Sequence, residues 1–286
     1  MKEQKLILTA RGPSAAGQVA AVAQFLDERH SYIEDISVFD SHDRSTFFLR
    51  CVFHTEANEP LVMDRFRFDF ASTAARFDMQ WALHDPAVKP KVLILVSRYD
   101  HCLNDLLYRW RIGELPIEIT AIASNHKDLS SIASAHGLPF HHLPITADTK
   151  PEQESKLKQL ITDTLADVVV LARYMQILSV DMCEYLSGRA INIHHSFLPG
   201  FKGAKPHQQA YDRGVKIIGA TAHYVTSDLD EGPIIDQAVT DVSHAANVEQ
   251  LQSLGRDMEC LALSRALKMH IEQRVFMHGS RTVILR

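Results

Sequence analysis

The rhythm of apolar and polar positions changes once along this chain, near residue 86. Before that point the segments are short and mixed. Leu6 to Thr9 predicts a strand, and "SAAGQVAAVAQFLDERH" then sets Val19, Val22, Phe25 and Leu26 at helical spacing. "YIEDISVFD" alternates as a half-buried strand does, "SHDRS" predicts a turn, and "TFFLRCVFH" predicts the return strand of a hairpin. "EPLVMDRFRFDFASTAARF" predicts a helix, and "DMQWAL" a closing strand.

That order, βαββαβ, is the ferredoxin-like pattern. "HDPAVKPK" follows, with two prolines, mixed charge and no apolar period, and marks a linker. Beyond it the strands become continuous apolar runs: "KVLILVS", "IEITAIAS", "DVVVLARYM" and "AINIHHS", separated by helical segments such as "CLNDLLYRWRIGEL" and "EQESKLKQLITDTL". Such alternation signals a parallel sheet covered on both faces. "IIGATAHYV" and "PIIDQAVTDV" predict antiparallel additions, "NVEQLQSLGRDMECLALSRALKMHIEQ" one long amphipathic helix, and "VFMHGSRTVIL" a final hairpin. The expected fold is α/β: residues 1–85 form a ferredoxin-like domain, and residues 86–286 a Rossmann-like domain with a mostly parallel sheet.

A length of 286 residues suits two domains, and a 46% hydrophobic, 23% charged composition is globular. The net charge of −5 argues against a nucleic-acid partner, which calls for a basic balance or stripe. No run reaches the roughly 20 apolar residues that span a bilayer, and "MKEQKLILTARGP" is too short and polar for a secretory leader. Cys51, Cys102, Cys183 and Cys260 stand singly, as reduced thiols of a cytoplasmic protein do. No H-E-x-x-H motif and no Cys/His ligand pair occurs. The doublets His141-His142 and His194-His195 fall on predicted strands, where neighbours face opposite ways, so no metal is expected.

The chemistry is concentrated in "AINIHHSFLPG", residues 190–200, which begins as a core strand and then carries Asn192, His194 and His195. In an open parallel sheet, ligands bind beyond the carboxyl ends of the strands. Asn192 and His194 alternate and share one face; Ile191 and Ile193 point into packing. An amide donor beside an imidazole suits attack on a carbonyl: the amide can hold an oxyanion and the imidazole can move a proton. The spacing fits a polar pair satisfying loop backbone at a strand end equally well. "GATAHYVTSDLDEGPII" adds Asp228, Asp230 and Glu231 in a tight loop. Taken alone, Asp230 fits an Asx-turn better than a catalytic acid.

With these residues in view, "INIHHSFLPGFKGAKPHQQAYDRGVKIIGATAHYVTSDLDEGPII" resembles the signature region of the folate-dependent formyltransferase family: N-x-H-x-S, then L-P, and later D-x-G before an apolar pair. The resemblance implies catalytic roles for Asn192, His194 and Asp230. Met175, Gln176, Ile177 and Leu178 of "LARYMQILS" would line the pterin pocket, together with Thr226, Ser227 and Asp228 before Asp230. His195, standing where transferases commonly carry proline, would hold a water. His207 and Lys205 would border the site, with no role carried onto His207. Residues 1–85 resemble an ACT domain. That pairing is the layout of the family's hydrolytic members, which turn 10-formyltetrahydrofolate and water into formate and tetrahydrofolate. Folate is then the substrate, and no cofactor is needed.

Two departures qualify the resemblance. The transferases carry a loop of small residues after the first strand of this domain, cradling the phosphate of an amine acceptor; here the place reads "SRYDHCLNDL", and Arg98, Tyr99, Asp100, His101 and Cys102 are too bulky for a phosphate nest. The ACT loop reads "RGPSAAG", keeping Gly17 but no acid. An ACT sheet that joins copies into a homo-oligomer is therefore favoured over one that binds a small amino-acid effector. The alternatives are a formyltransferase to a non-phosphorylated amine and a non-catalytic amino-acid-sensing ACT protein.

Overall fold

The computed structural model describes residues 4–42, 45–55, 61–198, 200 and 206–285. It divides into two compact units: Met1–Val88 with Glu272–Phe276 and Val283–Arg286, and Lys89–Ile271 with Met277–Thr282. The break falls within "HDPAVKPK". The C-terminal pieces assigned to the first unit were expected in the second domain.

The first unit runs β1 (Lys5–Gly12), α1 (Gln18–Asp27), β2 (Ser31–Asp40), β3 (Phe47–Thr55), α2 (Met63–Ala75) and β4 (Gln80–His84). Its sheet has the order β2-β3-β1-β4 with antiparallel pairing throughout. Gly17 enters α1 at φ 88°, a left-handed turn that glycine adopts without a Cβ penalty. The two helices cover one face of the sheet. Phe25 meets Phe66 and Phe70 edge-to-face, with ring centroids 5.1 and 4.9 Å away. Each such aromatic pair adds roughly 0.5–1.5 kcal/mol beyond the area it buries. The architecture is ACT-like.

The second unit runs β5 (Lys91–Val96), α3 (His101–Arg111), β6 (Glu118–Ser124), α4 (Ser130–Ala135), β7 (Phe140–His142), α5 (Lys150–Asp163), β8 (Val168–Leu171), α6 (Val180–Tyr185), β9 (Ala190–His194), α7 (Pro206–Asp212), β10 (Ile217–Tyr224), β11 (Ile234–Asp241) and α8 (Val248–Ile271). β12 (Val275–His278) and β13 (Arg281–Ile284) close the chain as a hairpin. The seven-stranded sheet has the order β11-β10-β9-β8-β5-β6-β7. β7, β6, β5, β8 and β9 are parallel, and β10 and β11 are the antiparallel additions. The unbroken apolar runs have their reason here: all of β8, and β5 from Val92 onward, are buried. Among the described residues no helix is long and apolar enough to cross a membrane.

Candidate active site

The chain lays β5, β6 and β7 to one side and then crosses to place β8 and β9 on the other, so β5 and β8 flank the point where strand order reverses. The loops leaving such strands diverge and open a crevice. The loop after β8 begins at Ala172, whose N–H still bonds to Leu95 O at 2.9 Å, and then turns away. The β10–β11 connection starts beside Ala190, where Val225 N–H meets its carbonyl at 3.0 Å, and folds back until Asp230 reaches His194. Between these loops lies a cavity of about 280 Å³. Asn192, His194, His195 and Asp230 line it, with Met175, Gln176, Ile177 and Leu178 on one loop and Thr226, Ser227 and Asp228 on the other. Every catalytic and pocket residue expected from the sequence therefore lines one cavity, whereas His207, expected at its border, lines a neighbouring one. Lys205, expected at the border, lies outside the described residues.

Strand alternation sets the reacting face. Ile191 and Ile193 are buried in packing, while Asn192 and His194 turn together toward the cavity. His194 Nδ1 lies 3.1 Å from Asp230 Oδ2. Its Nε2 is buried and has no hydrogen-bond partner among the described residues. Asn192 Nδ2 lies 3.2 Å from His223 Nε2, and His223 Nδ1 lies 2.9 Å from Tyr224 O. A carbonyl only accepts, so Nδ1 carries the His223 proton, and the neutral ring takes the Asn192 N–H at Nε2. One N–H of the Asn192 amide is thereby tied, and the other is left as a donor.

Asp230 is bent for this position. Its φ is 57°, in the left-handed region that Asp tolerates better than most residues. Burial acts to raise its pKa, but the hydrogen bond from His194 Nδ1 and the attraction of that ring outweigh burial and hold the carboxyl well below the usual carboxylate range. His195 is pushed down to about 4 by burial first, then by Arg173 and His194, so its ring is neutral at physiological pH.

The loop after β8 is anchored from below. Ser97 Oγ donates to Asn125 Oδ1 at 2.7 Å and accepts the Met175 N–H at 3.0 Å. Gln153 and Glu154 of α5 reach the same loop, Gln153 Nε2 donating to Tyr174 Oη at 2.8 Å and Glu154 Oε1 accepting the Ser179 N–H at 2.7 Å.

Residues 90–267 match the formyl transferase family model. A formyltetrahydrofolate deformylase of Corynebacterium sp. is 50% identical over 100% of both chains, and one of Bacillus subtilis is 42% identical over 99% of this chain and 94% of its own. The crystal structure of a formyltetrahydrofolate deformylase from Burkholderia mallei superposes with a TM-score of 0.94 at 55% identity, covering 99% of this chain and 100% of that one. The chain belongs to the formyl transferase family, in its formyltetrahydrofolate deformylase branch. The matched span contains every residue placed in the cavity; the ACT-like unit lies outside it.

Some of this deformylase-type site was missed by sequence reading. His223 looked like part of an apolar strand; its signal was alternation, since Thr221 and His223 are two polar residues on one face of β10, and both are buried. The doublet His194-His195 does not splay to opposite faces. β9 ends at His194, so His195 escapes the pleat; its ring sits 4.9 Å from that of His194, and both border the cavity. Arg173 and Glu259, distant in sequence, come within 3.4 Å. Glu259 is buried and bonded to His101 at 2.8 Å, and burial of its carboxylate is outweighed by His101 and Arg173, so its pKa is lowered. His101, Cys102 and Glu259 set ligand atoms within 4.8 Å of one another, a grouping that local spacing did not show. Arg173 already supplies a cation there. Cys260, first, and then burial raise the Cys102 thiol well above its ordinary range, which opposes the thiolate a metal would need. His207 packs on α8, where a Cβ at Gly255 would collide with its ring.

Proposed function

We propose that this chain hydrolyses 10-formyltetrahydrofolate to formate and tetrahydrofolate, with Asn192, His194 and Asp230 carrying the reaction. One observation supports the reading above the rest: His194 is held by Asp230 at Nδ1 and leaves a buried, unpartnered Nε2 at the cavity. Asp230 accepts the Nδ1 proton and so fixes the tautomer with its lone pair on Nε2. Water attacks the formyl carbon as Nε2 takes its proton. The remaining N–H of Asn192 and the new imidazolium hold the oxyanion. The carbon–N10 bond then breaks, and N10 keeps the electron pair and receives the proton from His194. The products are formic acid, ionised at neutral pH, and tetrahydrofolate. The scheme uses no metal, no cofactor and no covalent bond to the protein.

Met175, Gln176, Ile177 and Leu178 take the pterin from one side and Thr226, Ser227 and Asp228 from the other, while neutral His195 holds the attacking water. The rest of the proposal concerns the first unit and the setting. The ACT-like unit joins copies of the chain into a homo-oligomer, a reading supported by Tyr32, Ile36 and Val38 exposed on edge strand β2. A cavity bordered by Gly17, Gln18 and Asp40 is the place for a small amino-acid effector. The four thiols, free and mostly buried, support a cytoplasmic setting.

The test is incubation with 10-formyltetrahydrofolate and no acceptor, quantifying formate and tetrahydrofolate together, with Asn192→Ala as control. Equal release of both, lost in the control, is expected. Intact substrate would overturn the reading in favour of a transferase awaiting an amine.

A further inference from the structure

The crevice between the loops after β5 and β8 is where an open parallel sheet receives ligands, and here the protein fills part of it with its own charges. Arg173 stands in the middle. Its backbone φ is 64°, in a region that favours glycine, and holding any other residue there costs on the order of 1 kcal/mol. Arg173 is only 9% exposed. Its guanidinium carbon lies 4.8 Å from the centroid of the Tyr99 ring, which comes from the loop after β5. Its Nε lies 3.4 Å from Glu259 Oε2 but makes no hydrogen bond among the described residues. Glu259, on α8, is 2% exposed and bonded in turn to His101 at the start of α3. Arg173 also lines the cavity beside His194 and His195. Three separate segments thus converge on Arg173, whose side chain walls the cavity on one side.

Stability does not account for this wall. Well-packed apolar residues are often as stabilising as a buried ion pair, or more so. Nor does the cluster make an anion subsite. Glu259 already answers the guanidinium, and an incoming phosphate would meet that carboxylate. What Arg173 does is occupy volume beside His194 and His195, its side chain held between the Tyr99 ring and the Glu259 carboxylate.

We infer that the Arg173–Glu259–His101 network, capped by Tyr99, is a specificity element that closes the acceptor side of the cavity, so that water and not an amine reaches the formyl carbon. The inference rests on the hydrolase reading. Once the wall is opened, an amine nitrogen bonds to the formyl carbon, the carbon–N10 bond breaks, and N10 takes the proton the amine gives up, yielding a formamide and tetrahydrofolate.

The experiment measures partition rather than rate. The full chain is given 10-formyltetrahydrofolate with a large excess of glycinamide, a primary amine without phosphate, and formate and N-formylglycinamide are quantified from the same reaction. The variants are Arg173→Gly with Glu259→Gln, which removes both buried charges and relieves the backbone, and Tyr99→Ala, which trims a half-exposed ring. Wild type is expected to give formate alone. Each variant is expected to raise the ratio of formamide to formate at least about tenfold above the smallest ratio detectable for wild type, a change of at least about 1.4 kcal/mol in relative barrier. A wild type that hydrolyses but also formylates glycinamide overturns the inference and leaves the hydrolase reading standing. So does a ratio unchanged in Tyr99→Ala, the variant least able to disturb folding. A wild type that releases no formate without amine overturns the hydrolase reading, and the inference with it.

Discussion

His194 closes strand β9, Asp230 sits in the β10–β11 connection, and their Nδ1 and Oδ2 atoms meet at 3.1 Å. The contact fixes which imidazole nitrogen faces the cavity, and it depends on a carboxylate that stays charged. The lowered pKa of Asp230 ensures that. Asp230→Asn keeps the shape but not the charge that favours the imidazolium. It is expected to lower kcat by roughly 10²–10⁴-fold while KM for the folate changes little. Steady-state kinetics on the variant decides this; near-normal kcat would remove Asp230 from the mechanism.

His223 acts one step further back, through Asn192. Nε2 of His223 accepts the amide N–H at 3.2 Å and sets the side-chain orientation. Loss of an oxyanion donor costs about 10²–10³ in kcat, so Asn192→Ala is expected to fall in that range. His223→Ala is expected to cost less alone and almost nothing more when added to Asn192→Ala, because the two belong to one unit. The measurement is a double-mutant cycle on kcat/KM. Fully additive losses would show that His223 works independently of Asn192.

The local features were legible because they are periodic or punctuated. Alternation along "AINIHHS" placed Asn192 and His194 on one face, and the continuous apolar strands announced a parallel sheet. Thr226, Ser227, Asp228 and Asp230 were legible only because the family motif supplied the fold-back of their loop. What stayed hidden is long-range. Nothing near Arg173 in sequence announces that Glu259 of α8 will neutralise it, or that an arginine occupies a left-handed backbone position. His195 was misjudged because strand geometry was extended one residue too far. The C-terminal hairpin was legible as a hairpin, but nothing in its pattern announces that parts of it group with the first unit.

Gly232, two residues past Asp230, is required by close approach. A Cβ there would collide with the Tyr224 carbonyl oxygen and press on His223 Nδ1 at 3.1 Å, disturbing the backbone that orients both His223 and Asp230. Gly232→Ala is expected to destabilise the protein by roughly 1–3 kcal/mol, the usual range for overpacking, and to lose most turnover. Thermal unfolding and formate release on the same preparation check this. A variant with wild-type activity would mean that the loop can shift without carrying Asp230 away from His194.

The pair formed by Tyr224 and His270 links the site strand to the last turn of α8, and it makes stability depend on pH. Tyr224 Oη lies 2.7 Å from His270 Nδ1. Burial pushes the phenol up, so it remains the donor, and the imidazole accepts as a neutral ring. Burial pushes His270 down to about 4. The unfolded chain, with an ordinary histidine near 6.5, therefore binds a proton between about pH 6.5 and 4 that the folded chain refuses. The stabilising contribution is complete above that window, falls by about 1.4 kcal/mol per pH unit within it, and amounts to a loss of about 2 kcal/mol by pH 5. His195, also near 4, acts in the same window. His270→Gln keeps an acceptor for Tyr224 and cannot titrate. Its melting temperature is expected to fall less than that of wild type between pH 7.5 and pH 5, with His195 supplying the remaining slope. Melting curves at the two pH values settle it, and parallel losses in the two proteins would mean that His270 does not carry the acid sensitivity.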